Sequence, residues 1–312
     1  ALAFGGYTTG NVATTEEFTT SIFSPIAATW ASGGAYPQSG YGGAGVGTLT
    51  AGLGFAGQPT PLNTLTAEYN GSWTAVNAMP SGRRYLAGFG TQTAAVAAQG
   101  SQIGNPETNT SFEYDGTNWT AGNNANTSKA FVGAAGILTA GITFGGANPG
   151  NEQASSELYN GTDWTNGPTM NGARANLGGA GTQTAALALA GNPVSPPTQT
   201  TATESFNGSS WSNEPTMSVA RFAIGSAGTQ TAGLGFGGYT SPGAPNATTG
   251  TELYNGTSWS TSANMASAKA YNTIAAGPGS SAFAVGGAIS GNATEEFTGE
   301  IVQLDYKTLT SS

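Results

Sequence analysis

The chain has 312 residues, a formal net charge of −9 with seven basic side chains, 50 glycines, and neither cysteine nor histidine. These totals exclude disulfides, thiol catalysis, Cys/His zinc sites and a Ser-His-Asp triad, and they argue against a nucleic-acid groove. The 10% of aromatic residues can build a core, whereas the abundant glycine disfavours long helices. No apolar run reaches the roughly 18 residues that span a bilayer, so we expect no membrane insertion.

The first predicted element is the apolar stretch ALAFGG at residues 1–6, which is typical of a β-strand. It does not begin with methionine, so we expect a processed product or a piece of a longer chain. In the repeat described next, this stretch corresponds to a second strand. We therefore predict that the chain starts inside its first repeat.

Tryptophan marks a repeat that runs down the whole chain. Successive tryptophans are separated by 43, 46, 45, 47 and 48 residues. They are Trp30, Trp73, Trp119, Trp164, Trp211 and Trp259. A period of about 45 residues that begins and ends in strand-like sequence is typical of a β-propeller blade.

One full repeat runs from Arg174 to Trp211. It reads as a first strand RANLGGAG, a tight TQT turn, a second strand AALALAG and a variable loop. A short strand TESF, an Asn-Gly turn and the tryptophan strand follow. Regular turn signals between short strands predict four antiparallel strands per repeat.

A diglycine ends each second strand, either intact or with its first glycine replaced. It is intact at Gly5-Gly6, Gly145-Gly146, Gly237-Gly238 and Gly286-Gly287, and altered at Ala56-Gly57, Gln99-Gly100 and Ala190-Gly191. An aromatic residue then follows at Phe18, Tyr69, Tyr114, Tyr159, Phe206, Tyr254 and Phe297. Seven of each imply seven blades.

The tail EIVQLDYKTL at residues 300–309 alternates apolar and polar residues and predicts one more strand. It could form the outer strand of blade seven, with Ile301 or Val302 replacing tryptophan. It could instead supply the inner strand that blade one lacks. Six blades is the alternative if the two ends of the chain share one blade.

The diglycine, the Glu-x-aromatic element, the tryptophan and a basic residue before the next blade together resemble kelch-repeat β-propellers. The resemblance implies an all-β fold and a single domain over residues 1–312. It implies seven four-stranded blades, or alternatively six, in a ring closed by the N- and C-terminal strands. We interpret the six tryptophans as structural anchors of the blades rather than as exposed sugar platforms.

A basic series precedes the inner strands and permits two interpretations. It consists of Arg83, Lys129, Arg174, Arg221 and Lys269, with Arg84 doubling it once. These six residues could form a basic ring around one channel mouth that binds an anionic ligand. Alternatively, the series forms ion pairs with the repeated carboxylates Glu16, Glu157, Glu204, Glu252 and Glu295.

Strand order predicts that the two faces of the propeller differ. The TQT and Asn-Gly turns should share one face, because Asn-Gly tolerates the positive φ that a tight hairpin needs. The stretch YNGTDW at residues 159–164 is one such turn; a glycosylation acceptor is its alternative reading. The variable loops after each diglycine should share the opposite face with the segments that join the blades. Loops on a rigid scaffold commonly carry binding, so we predict function on that face.

The repeat favours a binding module over an enzyme. Galactose-oxidase-like kelch enzymes need copper ligands from histidine and a Cys-linked tyrosine, and this chain has neither histidine nor cysteine. No pair of carboxylates suited to a glycosidase is recognisable outside the repeat positions. We therefore predict no catalytic residues, metal or cofactor. A sialidase-like glycan-processing enzyme is the least favoured alternative.

The NGTSW and GTQTA repeats resemble those of kelch-like proteins encoded by marine bacteriophages, particularly cyanophages. That resemblance implies a virion or extracellular protein, such as a tail-fibre head, that attaches to a host-surface glycan or outer-membrane protein. Other virion proteins, and a homo-oligomer, are further expected partners. A structural scaffold or decoration protein of the capsid or tail is the alternative.

Overall fold

The computed structural model describes residues 19–308 apart from 59–61, 103, 105, 150, 194–197, 242–245, 272–273 and 288–290. Two compact units are present: one is Ala28–Gly299, and the described residues 19–27 and 300–308 belong to the other. Every regular element among the described residues is a β-strand. No helix in this part of the chain is long and apolar enough to cross a bilayer.

Five blades of the larger unit are built from consecutive strands. Blade I contains β3 (Ala44–Thr48), β4 (Ala51–Phe55), β5 (Thr66–Tyr69) and β6 (Trp73–Val76). Blade II contains β7 (Ala87–Thr91), β8 (Ala94–Ala98), β9 (Ser111–Tyr114) and β10 (Trp119–Ala121). Blade III contains β11 (Gly133–Ile137), β12 (Ala140–Phe144), β15 (Ser156–Tyr159) and β16 (Trp164–Gly167), with a small ribbon of β13 (Ala147–Asn148) and β14 (Asn151–Glu152) in its loop.

Blade IV contains β17 (Gly178–Thr182), β18 (Ala185–Leu189), β19 (Thr203–Phe206) and β20 (Trp211–Glu214). Blade V contains β21 (Gly225–Thr229), β22 (Ala232–Phe236), β23 (Thr251–Tyr254) and β24 (Trp259–Thr261). All neighbouring strands within these blades are antiparallel.

The sixth blade closes the ring with strands from both ends of the larger unit. It contains β25 (Ile274–Ala276), β26 (Ser281–Val285) and β27 (Thr294–Thr298), and its outer strand is β2 (Thr29–Ser32). In this pairing Trp30 lies opposite Phe297, the same register that pairs Trp164 with Tyr159 inside blade III. The β-propeller is therefore confirmed, and its ring is closed by pairing the first and last strands of the larger unit.

The described residues form six blades rather than seven. The first tryptophan strand and the last aromatic strand belong to the same blade, which is the alternative that the sequence left open. Gly5-Gly6, Glu16 and Phe18, on which the seventh blade and the start inside blade one depended, lie outside the described residues.

The tail strand lies in neither position that the sequence suggested. β28 (Ile301–Thr308) pairs with β1 (Thr19–Ile26) in a two-stranded antiparallel ladder, and Ile301 lies opposite Ile26. It is therefore neither the outer strand of a blade nor an inner strand of the ring. Alternation of apolar and polar residues predicted the strand correctly, but it carries no information about the partner strand.

Small residues line the propeller axis because the inner strands converge there. A Cβ added to Gly88 would come within 2.6 Å of the Ala44 Cβ, and one added to Gly179 within 2.5 Å of the Ala134 carbonyl oxygen. The second strands lie between neighbouring blades and are buried on both faces, as in AALAL of β18. The high glycine and alanine content is therefore a packing requirement of the ring.

Backbone conformation explains which half of each diglycine can vary. The first residue has φ between 56° and 68° in all six blades, a left-handed region that Ala56, Gln99 and Ala190 can adopt. The second residue has φ between 86° and 107°, and it is glycine every time. At Gly191 a Cβ would also lie 2.8 Å from the Ala175 carbonyl oxygen. Only glycine fits there.

Each tryptophan packs between its own blade and the preceding one. Trp119 contacts Tyr114 of its own blade and Phe55 of blade I, with both ring centroids 5.0 Å away. Its indole N–H donates to the Thr66 hydroxyl of blade I at 2.9 Å. The same donation joins Trp30 to Thr251, Trp73 to Thr294, and Trp259 to Thr203. These contacts match the role of blade anchor.

A second contact between blades depends on whether the repeated aromatic residue is tyrosine or phenylalanine. The hydroxyls of Tyr69, Tyr114, Tyr159 and Tyr254 each donate to a glutamate of the preceding blade, namely Glu296, Glu68, Glu113 and Glu214. Where the aromatic residue is Phe206 or Phe297, the preceding blade instead packs Leu158 or Leu253 against it. At this contact between blades, a carboxylate is therefore present where a tyrosine hydroxyl needs an acceptor, and an apolar residue where the partner is phenylalanine.

This pairing predicts the result of a double-mutant cycle between blades II and III. Glu113→Leu alone should cost about 1–3 kcal/mol of unfolding free energy, because it leaves the Tyr159 hydroxyl buried without an acceptor. Adding Tyr159→Phe should recover most of that loss, because the double variant copies the Leu158–Phe206 pair. Denaturant titration of the four proteins measures the coupling, and additive effects would contradict this account.

Candidate functional site

The basic series lies inside the propeller rather than around an open mouth. The exposed fractions of Arg83, Lys129, Arg174, Arg221 and Lys269 are between 0% and 2%. Each residue precedes an inner strand, and its side chain turns into the blade that follows. Such buried cations do not present their charge to a ligand in solution. The predicted basic ring at the channel mouth is therefore contradicted for these five residues.

Four of the five cations form buried ion pairs with the repeated glutamates. Arg174 contacts Glu204, and Arg221 contacts Glu252. Lys129 and Glu157 are 3.7 Å apart, and Lys269 and Glu295 are 3.6 Å apart. The ion-pair interpretation is confirmed for these four pairs. Glu16, the fifth predicted partner, lies outside the described residues.

Each paired glutamate also holds the segment that joins two blades. One oxygen of Glu204 accepts from the Asn171 backbone N–H at 2.7 Å, and the same bond recurs between Glu157 and Asn126 at 2.6 Å. Burial lowers the pKa of Lys129, and the adjacent Glu157 carboxylate opposes that shift. These carboxylates therefore serve the scaffold, since both of their oxygens are engaged by it.

The repeat departs from this arrangement in the first two blades. In blade II the glutamate position is Phe112, and the Arg83 guanidinium lies 4.6 Å from the centre of its ring. Arg83 donates instead to the carbonyl oxygens of Gln99 and Thr110, and burial lowers its pKa to about 10. In blade I both partners are missing, because Gly40 and Ala67 occupy the two positions.

A ring of backbone hydrogen bonds surrounds one end of the central channel. Two residues after each cation position, the chain adopts a left-handed conformation with φ between 54° and 73°. In five of the six blades the N–H of this residue donates to the carbonyl of its counterpart in the preceding blade, at 2.6–3.0 Å among the described residues. We call these six residues the mouth ring: Gly42, Tyr85, Phe131, Asn176, Ala223 and Tyr271. Five bonds of this ring lie within the described residues.

Aromatic side chains gather at this end of the channel. Tyr85 stacks on Phe131 with centroids 4.1 Å apart, and Tyr41 lies 6.3 Å from Tyr85 and 5.6 Å from Tyr271. We call the continuous set of rings the aromatic arc; it consists of Tyr41, Tyr85, Phe131, Tyr271, Tyr239 and Phe222. Burial raises the pKa of Tyr85, so this phenol is neutral at ordinary pH.

Arg84 is the predicted site residue that the structure places on this arc. Its guanidinium lies 5.0 Å from the centre of the Tyr85 ring, and its side chain is partly exposed. The backbone of Arg84 is bridged to Ser101 in the loop after the diglycine of blade II. Of the six predicted basic site residues, Arg84 alone combines partial exposure with a position at the channel mouth.

The two faces of the propeller differ as the strand order predicted. Backbone bridges such as Ala175–Asn192 and Phe222–Tyr239 join the blade-connecting segments to the variable loops, so both lie on one side, the loop face. The mouth ring and the aromatic arc belong to this face. The TQT and Asn-Gly turns meet on the opposite side, the turn face, where a Cβ on Gly161 would lie 3.2 Å from Thr139.

The repeated side chains of the turn face form hydrogen bonds within the propeller itself. Gln183 donates to the carbonyls of Gly141 and Tyr159 in the preceding blade, and Gln92 and Gln230 repeat this contact. The Asn160 side-chain oxygen accepts the N–H groups of Thr162 and Asp163, which closes its own turn. YNGTDW is therefore a hairpin element, as predicted.

The described residues that line the channel are mostly small and uncharged. Its wall consists of residues such as Gly88, Ala134, Gly179, Ser226 and Ala275 from successive inner strands. No charged side chain lines its described portion. Nor do the described residues contain a group of three or more His, Cys, Asp or Glu side chains that could hold a metal ion.

Sequence reasoning missed the aromatic arc. A signal was present, because Tyr85, Phe131 and Tyr271 each stand two residues after a member of the basic series. Tyr41 and Tyr239 precede or follow glycine-rich segments, and only the folded ring brings them to the same place.

Comparison with known proteins supports the fold alone. No protein-family model matches the chain, and no curated protein matches it. A solved structure described as "Structure of YjhT" is similar, with a TM-score of 0.69 and 13% sequence identity. The match covers 86% of this chain and 99% of that chain. This likeness shows a propeller fold and carries no function at that identity.

Proposed function

We propose that this chain is a non-catalytic binding module of a bacteriophage virion that attaches to the host surface through its loop face. The observation that carries the proposal is the contrast between the faces. On the turn face, repeated side chains bond to the scaffold. The loop face instead carries the sequence variation, the aromatic arc and Arg84.

The chemistry of the repeated carboxylates supports a non-catalytic role. Glu157, Glu204, Glu252 and Glu295 are buried and neutralised by cations of the scaffold. A glycosidase requires two carboxylates at about 5–10 Å that can reach a substrate. Residues held in the same way in four blades serve the blade rather than one reaction.

The proposal of kelch-type repeats and of a virion protein rests on the repeated sequence motifs. The diglycine, the paired glutamate, the tryptophan and the basic residue recur in register, and each now has a structural role inside the blade. The NGTSW and GTQTA elements resemble those of marine bacteriophage proteins. A tail-fibre head or a surface decoration that faces the medium is consistent with a rigid scaffold bearing variable loops.

Attachment is tested by binding labelled, purified protein to a panel of cyanobacterial strains. We expect saturable binding that is lost when residues 192–202 and 239–250 are replaced by short Gly-Ser links. Asn255→Asp is the matched control on the turn face, because it copies the Asp115-Gly116 turn of blade II, and binding should be unchanged. Melting temperatures show whether each variant is folded.

Two outcomes would contradict the proposal. One is the absence of binding to all strains, and the other is binding that the loop replacements leave intact. The second candidate, a structural scaffold, predicts the first outcome together with association of the same loops with another virion protein.

A further inference from the structure

Blade I departs from the repeat at three positions that lie close together. Gly40 stands where later blades carry a cation, and Ala67 stands where four of them carry its glutamate. Tyr36 stands where four other blades carry a buried methionine, as Met79 does in blade II. The scaffold thus dispenses with its repeated ion pair in one blade, and a break in a repeat is the place to search for a specific role.

A crevice opens where the missing cation would lie. It is narrow, with room for about one water-sized group, and Gly40 and Ala56 are part of its wall. Ala56 is the counterpart of Gln99 and Gly237, whose carbonyl oxygens accept from Arg83 and Arg221 in other blades. The crevice lies on the loop face between blades VI and I, since Val285 and Gly286 also line it.

Tyr36 lines the crevice and has a buried hydroxyl without a partner among the described residues. The side chain is 3% exposed, its ring packs edge-on against Trp73, and it lines the crevice. Its hydroxyl makes no hydrogen bond with any described group. A buried polar atom without a partner is destabilising, and methionine in the other blades avoids it. A ligand that supplies a hydrogen bond accounts for the hydroxyl.

The rim of the crevice is aromatic and uncharged. Tyr41, a member of the aromatic arc, lines the crevice together with Gln38, Gln58 and Asn63. None of the residues that line the crevice is acidic or basic. An aromatic ring suits the apolar face of a pyranose, and amides can both donate to and accept from hydroxyls. Charged groups would find no partner here.

We propose that this crevice binds an uncharged sugar residue of a surface glycan. The sugar ring lies against Tyr41, the glutamine amides bond to its hydroxyls, and one hydroxyl enters the crevice to pair with Tyr36. The small crevice takes one hydroxyl-bearing corner of the sugar rather than the whole ring. This inference rests on the proposed attachment function: blade I binds one sugar residue of the receptor glycan, and the loops of blades IV and V contact the rest of the receptor.

The test uses the full chain on an array of glucose, galactose, mannose, N-acetylglucosamine and their oligomers, with sialylated and sulfated glycans for comparison. Titration calorimetry then measures the affinity for the best uncharged binder. Tyr41→Ala should abolish measurable binding. Tyr36→Phe should weaken binding by about five- to tenfold, the effect of one hydrogen bond, and yet raise the melting temperature. Tyr36→Met, the residue of other blades, should behave similarly.

A matched control and the cell-binding assay separate the possible outcomes. Gln102→Ala removes a partly exposed amide on the same face of blade II and should leave affinity unchanged, whereas Gln58→Ala should weaken it. Equal sugar binding by wild type, Tyr41→Ala and Tyr36→Phe would show that the crevice is not the binding site. Preference for charged glycans would also overturn the proposal. Binding to cells without binding to sugars would overturn the glycan proposal. Attachment to the host would then remain, with a protein as the receptor. Failure of both assays would overturn both proposals.

Discussion

Replacing Glu204 by alanine is expected to lower the free energy of unfolding by about 3–5 kcal/mol. The substitution leaves the Arg174 guanidinium buried without its carboxylate, in a place where only 2% of the residue is exposed. It also removes the acceptor for the Asn171 backbone N–H. Denaturant titration followed by tyrosine and tryptophan fluorescence measures the loss. A change below about 1 kcal/mol would contradict a buried ion pair.

Replacing both partners should cost less than replacing one. In Arg174→Leu with Glu204→Leu, no charge remains buried, and well-packed apolar residues often substitute for a buried ion pair at little cost. Blade I shows that the propeller tolerates the absence of both partners. Asp163→Ala is the control for an exposed carboxylate, and it should change stability by no more than about 0.5 kcal/mol. A double variant less stable than Glu204→Ala would show that the pair itself is strongly stabilising.

Trp119→Ala is expected to cost about 3–5 kcal/mol, the range found for large aromatic residues in protein cores. Trp119 is 7% exposed and fills the space between Phe55 of blade I and Tyr114 of its own blade. Its loss opens a cavity between two blades, which relaxes poorly because both sheets are held by their neighbours. The midpoint and slope of a denaturant titration measure the effect.

Trp164 provides a natural comparison for the contribution of the indole N–H. Trp119 donates to Thr66, whereas the buried indole N–H of Trp164 has no acceptor among the described residues. Trp119→Phe should therefore cost more than Trp164→Phe, because only the first loses a hydrogen bond. Equal costs would show that ring volume alone stabilises the blade interface.

The geometry of the blades explains why sequence and structure agree on the faces. Each TQT turn joins the first two strands, so the loop after the diglycine must return to the side where the blade began. Backbone bridges such as Arg84–Ser101 and Ala130–Ala147 hold that loop against the blade-joining segment. The assignment of variation to one face needed only strand order. It did not require knowledge of how many blades complete the ring.

The predicted count of seven blades and the predicted position of the tail strand differ from the structure for another reason. Counting aromatic elements included Phe18, which lies outside the described residues, and it treated Trp30 and Phe297 as members of separate blades. The pairing of Trp30 with Phe297 joins residues at opposite ends of the chain. Local pattern predicts that a strand exists, but the partner of a terminal strand depends on where the ring closes.

By itself, the sequence determined the four-stranded repeat, the Asn-Gly turns and the anchoring tryptophans, and it named the ion-pair carboxylates as one of two interpretations of the basic series. These features follow from turn chemistry and from contacts within a blade or with the next one, which recur at a fixed period. Only the tertiary structure decided three matters: six blades, burial of the cations, and the meeting of Tyr41, Tyr85 and Tyr271 at one mouth. Closure depends on strands from both ends, and burial depends on how much chain surrounds a side chain. Convergence on the axis depends on all blades at once.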